Sequence, residues 1–581
     1  MAKPTIERVD EIPLLIYWLQ QMQVDVIIDR VLPLPHGNRQ GLSYGQLALL
    51  FVVYVIYLRN HRLCGMEEWV EQHHGLLQRV TGWPIKVKDA TDDRLGDLLQ
   101  ELGEDESRGE SLQQALGGHL IQAYRLPTER GRYDTTSFSV YHAPDEQGQA
   151  GQGWLAFGHS KDHRPDLLPF VKQGLGTLDP AGVPLYTAMV AGNGADDPLY
   201  VPAWDKMSQT IGHRHFLFIA DSKAAALASR CHIDAEGGSY LFPLPMTGKT
   251  PEYLRAWVLQ PPVKPEAIFL ADRQDDPSQP VQIGVGFVVE LGLYDRQEDG
   301  HIRHHWLERW LVTRSDKLAQ RHQANLEQRL QQAEAELSRL NPKGKATVAD
   351  LTAAAQKVME RRRVVGLLTV AISETVSEHL RQVGRGRPGP NRPTQVVRLC
   401  QTQLTVARQP AAIAEARQLA GWRIHVTNAK ADQLSLTQAI DYYRDEYLVE
   451  HGMHRFKRGS LPVLPLFLQL PARIRGLMLL LFIALQALTL LEFVAQQELA
   501  RRGEKMSGLV PGNPKMKTAQ PSAERLLARF TGLHWLSEDT VGRIVEDLTP
   551  LQKHILDVLG IPETIYCLGP ASLAHNSLSS S

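Results

Sequence analysis

The stretch DYYRDEYLVEHGMHRFKRG, Asp441–Gly459, decides how the rest of the chain is read. Taken as one helix, with 3.6 residues per turn, it sets Tyr443, Glu446, Glu450 and Lys457 within about 60° of one another. An apolar stripe of Tyr442, Val449, Met453 and Phe456 runs beside them. A carboxylate bordering a core, with a Lys two turns on, suits a group held rigidly at the edge of a site. An ordinary amphipathic helix with a solvated charged face has the same pattern. The helix alone does not separate the two, so the decision falls on the segments upstream.

Arg132–Tyr141, RYDTTSFSVY, alternates with period two and is rich in Thr, Ser and aromatics, which predicts a strand carrying Asp134. Leu167–Leu178 and Val183–Val190 pair across Asp179-Pro180-Ala181-Gly182, giving three antiparallel strands. HFLFIA, His215–Ala220, reads as a short buried strand ending in Asp221. A carboxylate at that point is a common site position in α/β sheets, and equally a helix N-cap. Gly421–Thr427, GWRIHVT, is a further strand leading into the opening helix. Asp134, Asp221 and Glu450 thus come from separate elements and can converge on two hard divalent ions, which take oxygen ligands. Such a pair activates an attacking oxygen and stabilises a leaving one in phosphoryl transfer. Carboxylates suit Mg²⁺, where His and Cys would suit zinc.

At 581 residues the chain exceeds one core and should hold several domains. Residues 1–128 read as helical, with Thr91 an N-cap for Asp92–Leu102, as a DNA-binding or dimerisation domain. The sheet segments fall in 129–238 and 421–500. Between them, 239–420 reads as an α+β insertion. It holds a long hairpin, Val281–Tyr294 with His304–Thr313, and two helices, Asp316–Leu340 and Val348–Val365, forming an antiparallel arm. Residues 501–581 read as a basic linker and a small helical region.

Four scattered cysteines without a CxxC pair indicate neither a zinc knuckle nor a disulfide framework, which fits a reducing cytosol. The N-terminus lacks a signal-peptide pattern. Leu47–Leu58 and Leu477–Leu491 fall short of the roughly 20 residues a span needs, so both read as buried core helices and no membrane is expected. The net charge of −1 gives no global sign of nucleic-acid binding, but basic clusters stand at 361–363, 385–392, 454–458 and 501–505. HIRHH, His301–His305, reads as a surface hairpin or a transition-metal site. Gly248-Lys249-Thr250 is not a phosphate loop, because Pro243 stands where that motif needs Gly.

In their order and spacing these residues resemble a DDE transposase of a bacterial insertion sequence. The subgroup has an RNase H-like domain interrupted by a β-rich insertion before the catalytic Glu. Its closing helix carries Tyr, two residues, Arg, three residues, Glu, six residues, Lys. Tyr443, Glu450 and Lys457 fall at those spacings, and Glu446 stands where the Arg belongs. Asp134-Thr135-Thr136 matches the first motif and Asp221 after FLFIA the second. Gly158–Leu167 and Gly192–Asp196 are also similar to sequence of this family. The resemblance covers roughly residues 5–500.

It implies a multidomain α/β protein: an RNase H-like catalytic domain, a large α+β insertion, and helical N- and C-terminal regions. It implies two Mg²⁺ ions, with Mn²⁺ able to substitute, on Asp134, Asp221 and Glu450. Water frees a 3′-OH at the element's end, and that 3′-OH attacks target DNA. Tyr443, Lys457, Arg458, Arg455, Lys161 and Arg164 are the expected DNA contacts, and Trp306 and Trp310 either stack on an unpaired base or pack within their own domain. The implied partners are DNA and a second copy in a synaptic dimer, in the bacterial cytoplasm. A resolvase or other RNase H-like nuclease, and a catalytically silent DNA-binding derivative, are the competing readings.

Overall fold

A computed structural model describes residues 5–34, 40–140, 170–192, 194–271, 280–296, 299, 301–340, 346–385, 389, 393–537, 543–544 and 547–567. The chain is mixed α/β and divides into two compact units. Unit one holds residues 1–242, 293–306 and 440–581, and unit two holds 243–292 and 307–439.

Unit one begins with helices that end in α1 (Asp92–Glu104) and α2 (Glu106–Tyr124). Thr91 caps α1 by accepting from the Arg94 amide. A mixed sheet follows. Its strands are β1 (Arg130–Ser139), β2 (Phe170–Leu178), β3 (Val183–Ala191), β4 (Leu217–Ala220) and β5 (Ser239–Pro243), in the order β3-β2-β1-β4-β5. The first three run antiparallel, and β4 and β5 run parallel to β1. Between β3 and β4, helix α3 (Tyr200–Ile211) brings Tyr200 and Trp204 into the core. Gly174 and Gly176 of β2 leave room for a neighbour: a Cβ at Gly174 would lie 1.9 Å from the Tyr133 hydroxyl.

Unit two contains β6 (Glu266–Ala271), β7 (Pro280–Arg296) and β8 (Ile302–Ser315), the tip of the β7–β8 hairpin being counted with unit one. Next come α4 (Asp316–Leu337) and α5 (Val348–Arg362), the two helices expected as an antiparallel arm. Leu326, Leu330, Ala333 and Leu337 of α4 bury against Ala355 and Val358 of α5 and Ile413. A second hairpin, β9 (Leu368–Gln382) with β10 (Thr394–Arg408), pairs over fifteen positions, and of it the sequence shows only the basic cluster at 385–392. Strand β11 (Trp422–Thr427) completes the order β11-β8-β7-β6.

The chain returns to unit one through α6 (Leu436–Arg444), α7 (Tyr447–Lys457) and α8 (Pro471–Arg502). Helix α8 is apolar on all sides, as a fully enclosed helix must be. Among the described residues it is the one continuous helix long and apolar enough to cross a membrane, but 89% of its apolar window is buried inside the protein. It crosses α1 at backbone contact: a Cβ at Gly476 would lie 2.1 Å from the Leu99 carbonyl oxygen, and one at Gly103 would lie 1.9 Å from that of Ala472. Trp18 donates to the Ala487 carbonyl at 3.1 Å and Gln486 to that of Pro184 at 2.8 Å, so α8 ties the N-terminal helices to the sheet. The two ends of the chain also meet, Thr5–Arg8 pairing with His534–Ser537.

Candidate active site

Strand β1 places Arg132, Asp134 and Thr136 on one face, because side chains alternate along a strand. Asp134 is half-buried and its Oδ1 accepts from the Thr135 amide at 2.7 Å. The parallel register of β1 with β4 pairs Tyr133 with Ala220. Continued by one residue, that register stands Asp134 beside Asp221, on strands about 4.8 Å apart. Asp221 is still extended, and its Oδ1 caps the next turn by accepting from the Lys223 amide at 3.1 Å. The Tyr200 hydroxyl donates to the same oxygen. Burial first, and then the charge of Asp221, with smaller contributions from Asp134 and Asp196, holds the Tyr200 phenol far above its ordinary range. Tyr200 therefore remains a donor at any working pH.

The stretch Asp441–Gly459 is two helices, which corrects the single-helix reading. The Arg132 guanidinium bonds the Tyr442 carbonyl, the acceptor that a continuous helix would offer to the Glu446 amide. The chain tightens instead: the Asp445 amide bonds the Tyr442 oxygen at 3.2 Å and the Glu446 amide the Tyr443 oxygen at 3.3 Å. Helix α7 starts afresh with Glu446 at its N-cap position and Glu450 in its first turn. Gly452 lets α7 lie close on the sheet, because a Cβ there would meet Leu175 of β2 at 3.2 Å and Leu485 of α8 at 3.3 Å. Leu175 is the register partner of Asp134.

Carboxylates from three segments act on Glu446. Burial raises the Glu446 carboxyl above its ordinary range, and the charges of Asp134, Glu450 and Asp221 raise it further against the opposing pull of Arg132. Glu446 thus stands among the acids, where a family Arg was expected. Glu450 is exposed and Glu446 is half-buried.

Three supports were not anticipated from sequence. Arg132 is buried and pairs with buried Asp179 at 2.6 Å. Arg130 lies over the Tyr442 ring, 3.9 Å from its centroid. Asp196, fully enclosed, accepts from Lys172 at 2.8 Å and from Lys223. The position of Arg132, two residues before Asp134 on an alternating strand, was the available signal for the first of these. Asp196 lies in the Gly192–Asp196 motif, but its lysine partners carry no local sequence signal.

The expected DNA contacts divide. Tyr443 and Lys457 are half-buried on α6 and α7, and Arg458 is exposed at the end of α7. Arg455 is not a DNA contact but a structural one, a correction forced by its burial at 1% exposure. Its guanidinium bonds Glu524 at 2.9 Å and also Glu492, fastening α7 to α8 and to the C-terminal segment. Lys161 and Arg164 lie outside the described residues. Trp306 and Trp310 are buried: Trp306 donates to the Tyr240 hydroxyl at 2.9 Å and Trp310 to Glu308 at 2.7 Å, so both pack at home. His304 pairs with Asp234 at 2.7 Å.

Asp134, Asp221, Glu446 and Glu450 fit hard divalent ions in kind, since all are oxygen donors and their mutual repulsion is what a cation relieves. Among the described residues no three His, Cys, Asp or Glu side chains are drawn together as a ready cage. A search of family models and a search of curated proteins each found no match for the chain.

Proposed function

We propose that this protein is a DDE transposase with an RNase H-like catalytic core, cutting the ends of its element and joining the freed 3′-OH to target DNA. The observation that carries the reading is the strand register that stands Asp134 beside Asp221, with the charges of both and of Glu450 acting on Glu446. The sheet order supports it, because the first strand is central and the parallel strand beside it ends in the second aspartate. Asp134, Asp221 and Glu450 would hold Mg²⁺, which when bound supplies the charge that activates the attacking oxygen and stabilises the leaving one. The chain's own residues set that site. Tyr200 and the Lys223 amide fix Asp221 through one oxygen, and Arg132 fixes the start of α7 by holding the Tyr442 carbonyl. Tyr443, Lys457 and Arg458 would hold DNA phosphates in this reading.

A second reading concerns the third carboxylate. Glu446 is half-buried at the N-cap position of α7 and lies in the field of Asp134, whereas Glu450 is exposed, which makes Glu446 a candidate ligand alongside Glu450 or in its stead. The test is cleavage of a labelled fragment bearing the inverted repeat that flanks the coding sequence, with Mg²⁺. Glu450→Gln should keep end binding and lose cleavage by more than the roughly 100-fold that loss of a supporting partner costs. If Glu450→Gln cuts normally and Glu446→Gln does not, the third ligand is Glu446. Undiminished cleavage by both variants, or by Asp134→Asn, refutes the assignment.

A further inference from the structure

Unit two carries an open cleft of about 750 Å³ between α4, the end of α5 and the segment after Pro410–Gln418. Arg329, Arg361, Arg362, Arg363 and His322 line it, along with the amide side chains of α4, and among the described residues no carboxylate is part of its wall. Of the acids nearby, Glu336 pairs with Arg361 and Arg362 of the wall itself, which leaves Arg329 and Arg363 as the wall's unbalanced charges, and Glu327 and Glu334 are taken by Arg408, Glu327 also by Arg417. Among the described residues, Arg329 and Arg363 have no acidic partner.

We propose, resting on the transposase reading for the identity of the polymer, that this cleft of unit two is a site for the phosphate backbone of duplex DNA. The donors are strung along a helix. From His322 to Gln332 is ten residues, about 15 Å at 1.5 Å per residue. That length covers roughly four phosphates of one strand at 3.4 Å of axial rise each, which is too long for a single phosphate and right for a polymer. Guanidinium groups present a planar fork that matches phosphate oxygens two at a time. Asn325, Gln328 and Gln332 add neutral donors that suit backbone contact without base readout.

The test uses the full chain with EDTA, so that binding is measured without cleavage and does not depend on the assignment of the carboxylates. Fluorescence anisotropy with a random-sequence labelled duplex is followed from 50 to 300 mM NaCl. The variant is Arg329→Gln with Arg363→Gln, two exposed or half-exposed side chains whose loss leaves the α4–α5 core intact, as a matching thermal melt would verify. The slope of log affinity against log salt should shrink by about 1.8, at about 0.9 per lost phosphate contact, with affinity down roughly tenfold or more at low salt. Restoring charge with Arg329→Lys and Arg363→Lys should recover most of the slope. An unchanged slope and affinity overturns the proposal. So does a variant that loses binding to polyglutamate but keeps it for the duplex, which would assign the cleft to an acidic protein.

Discussion

Arg132→Met removes the charge that joins β1, Asp179 and the turn between α6 and α7. Burial pushes the Asp179 carboxyl up from 3.8 to about 6, even though the charges of Arg132 and Arg130 pull it down. A folded value raised above the unfolded one means that the folded state holds more protons between pH 3.8 and 6. The stability that this group contributes is therefore complete below pH 3.8 and falls as pH rises toward 6, by 1.36 kcal/mol per unit, about 3 kcal/mol in all. Above pH 6 the native protein shows no further fall from this group. Without Arg132, Asp179 stays neutral to higher pH, and the fall continues. At pH 8 the extra loss is about 3 kcal/mol, the low end of what a buried pair costs when it loses one partner, and it shrinks as pH falls to 6. The lost bond to the Tyr442 carbonyl adds about 1 kcal/mol at either pH. The expected total is about 1 kcal/mol at pH 6 and about 3–4 kcal/mol at pH 8, the latter within the range for a buried pair that loses one partner. Urea unfolding followed by circular dichroism at the two pH values measures it. At a slope of about 3 kcal/mol per molar, the midpoint should drop by about 0.3 M at pH 6 and about 1 M at pH 8. Equal drops at both pH values would refute the role given to Asp179.

Two further substitutions probe the site and its support. Tyr200→Phe withdraws one of two donors from Asp221 Oδ1; single-turnover cleavage should slow about tenfold, the equivalent of 1.4 kcal/mol, with DNA affinity unchanged, and a matching loss of affinity would count against a positioning role. Gly476→Ala drives a methyl into the Leu99 carbonyl; a backbone group cannot swing aside, so about 3 kcal/mol should be lost and the melting temperature should fall by about 5 °C or more, whereas an unmoved melting temperature would mean that α1 and α8 are further apart than described.

The elements with a strong local period were legible from the sequence. The leucines of α4, the alternation of β1 and the apolar run of β4 each declared their own structure, because each is held by a face that its own residues define. The pairing of Thr5–Arg8 with His534–Ser537 was not legible, since strands more than five hundred residues apart leave no local mark. The β9–β10 hairpin escaped because its partner-facing residues, Val376, Leu380 and Val396, are exposed, so its alternation serves no buried face.

The break inside Asp441–Gly459 belongs with these long-range effects, and it matters most. Periodicity sets Tyr443, Glu446, Glu450 and Lys457 on one continuous stripe, and no Pro or Gly stands between Asp441 and Glu450 to interrupt it. The interruption comes from Arg132, which captures the Tyr442 carbonyl. That one side chain restarts the helix at Glu446 and turns its N-terminal end, with two carboxylates, toward the strand that bears Asp134. The same guanidinium lowers the Glu446 carboxyl while three acids raise it. An Arg at position 446 would set a second cation beside Arg132 at this turn. Arg132 already brings a positive charge from β1 to this turn, and a Glu at 446 sits within its pull where an Arg would be repelled.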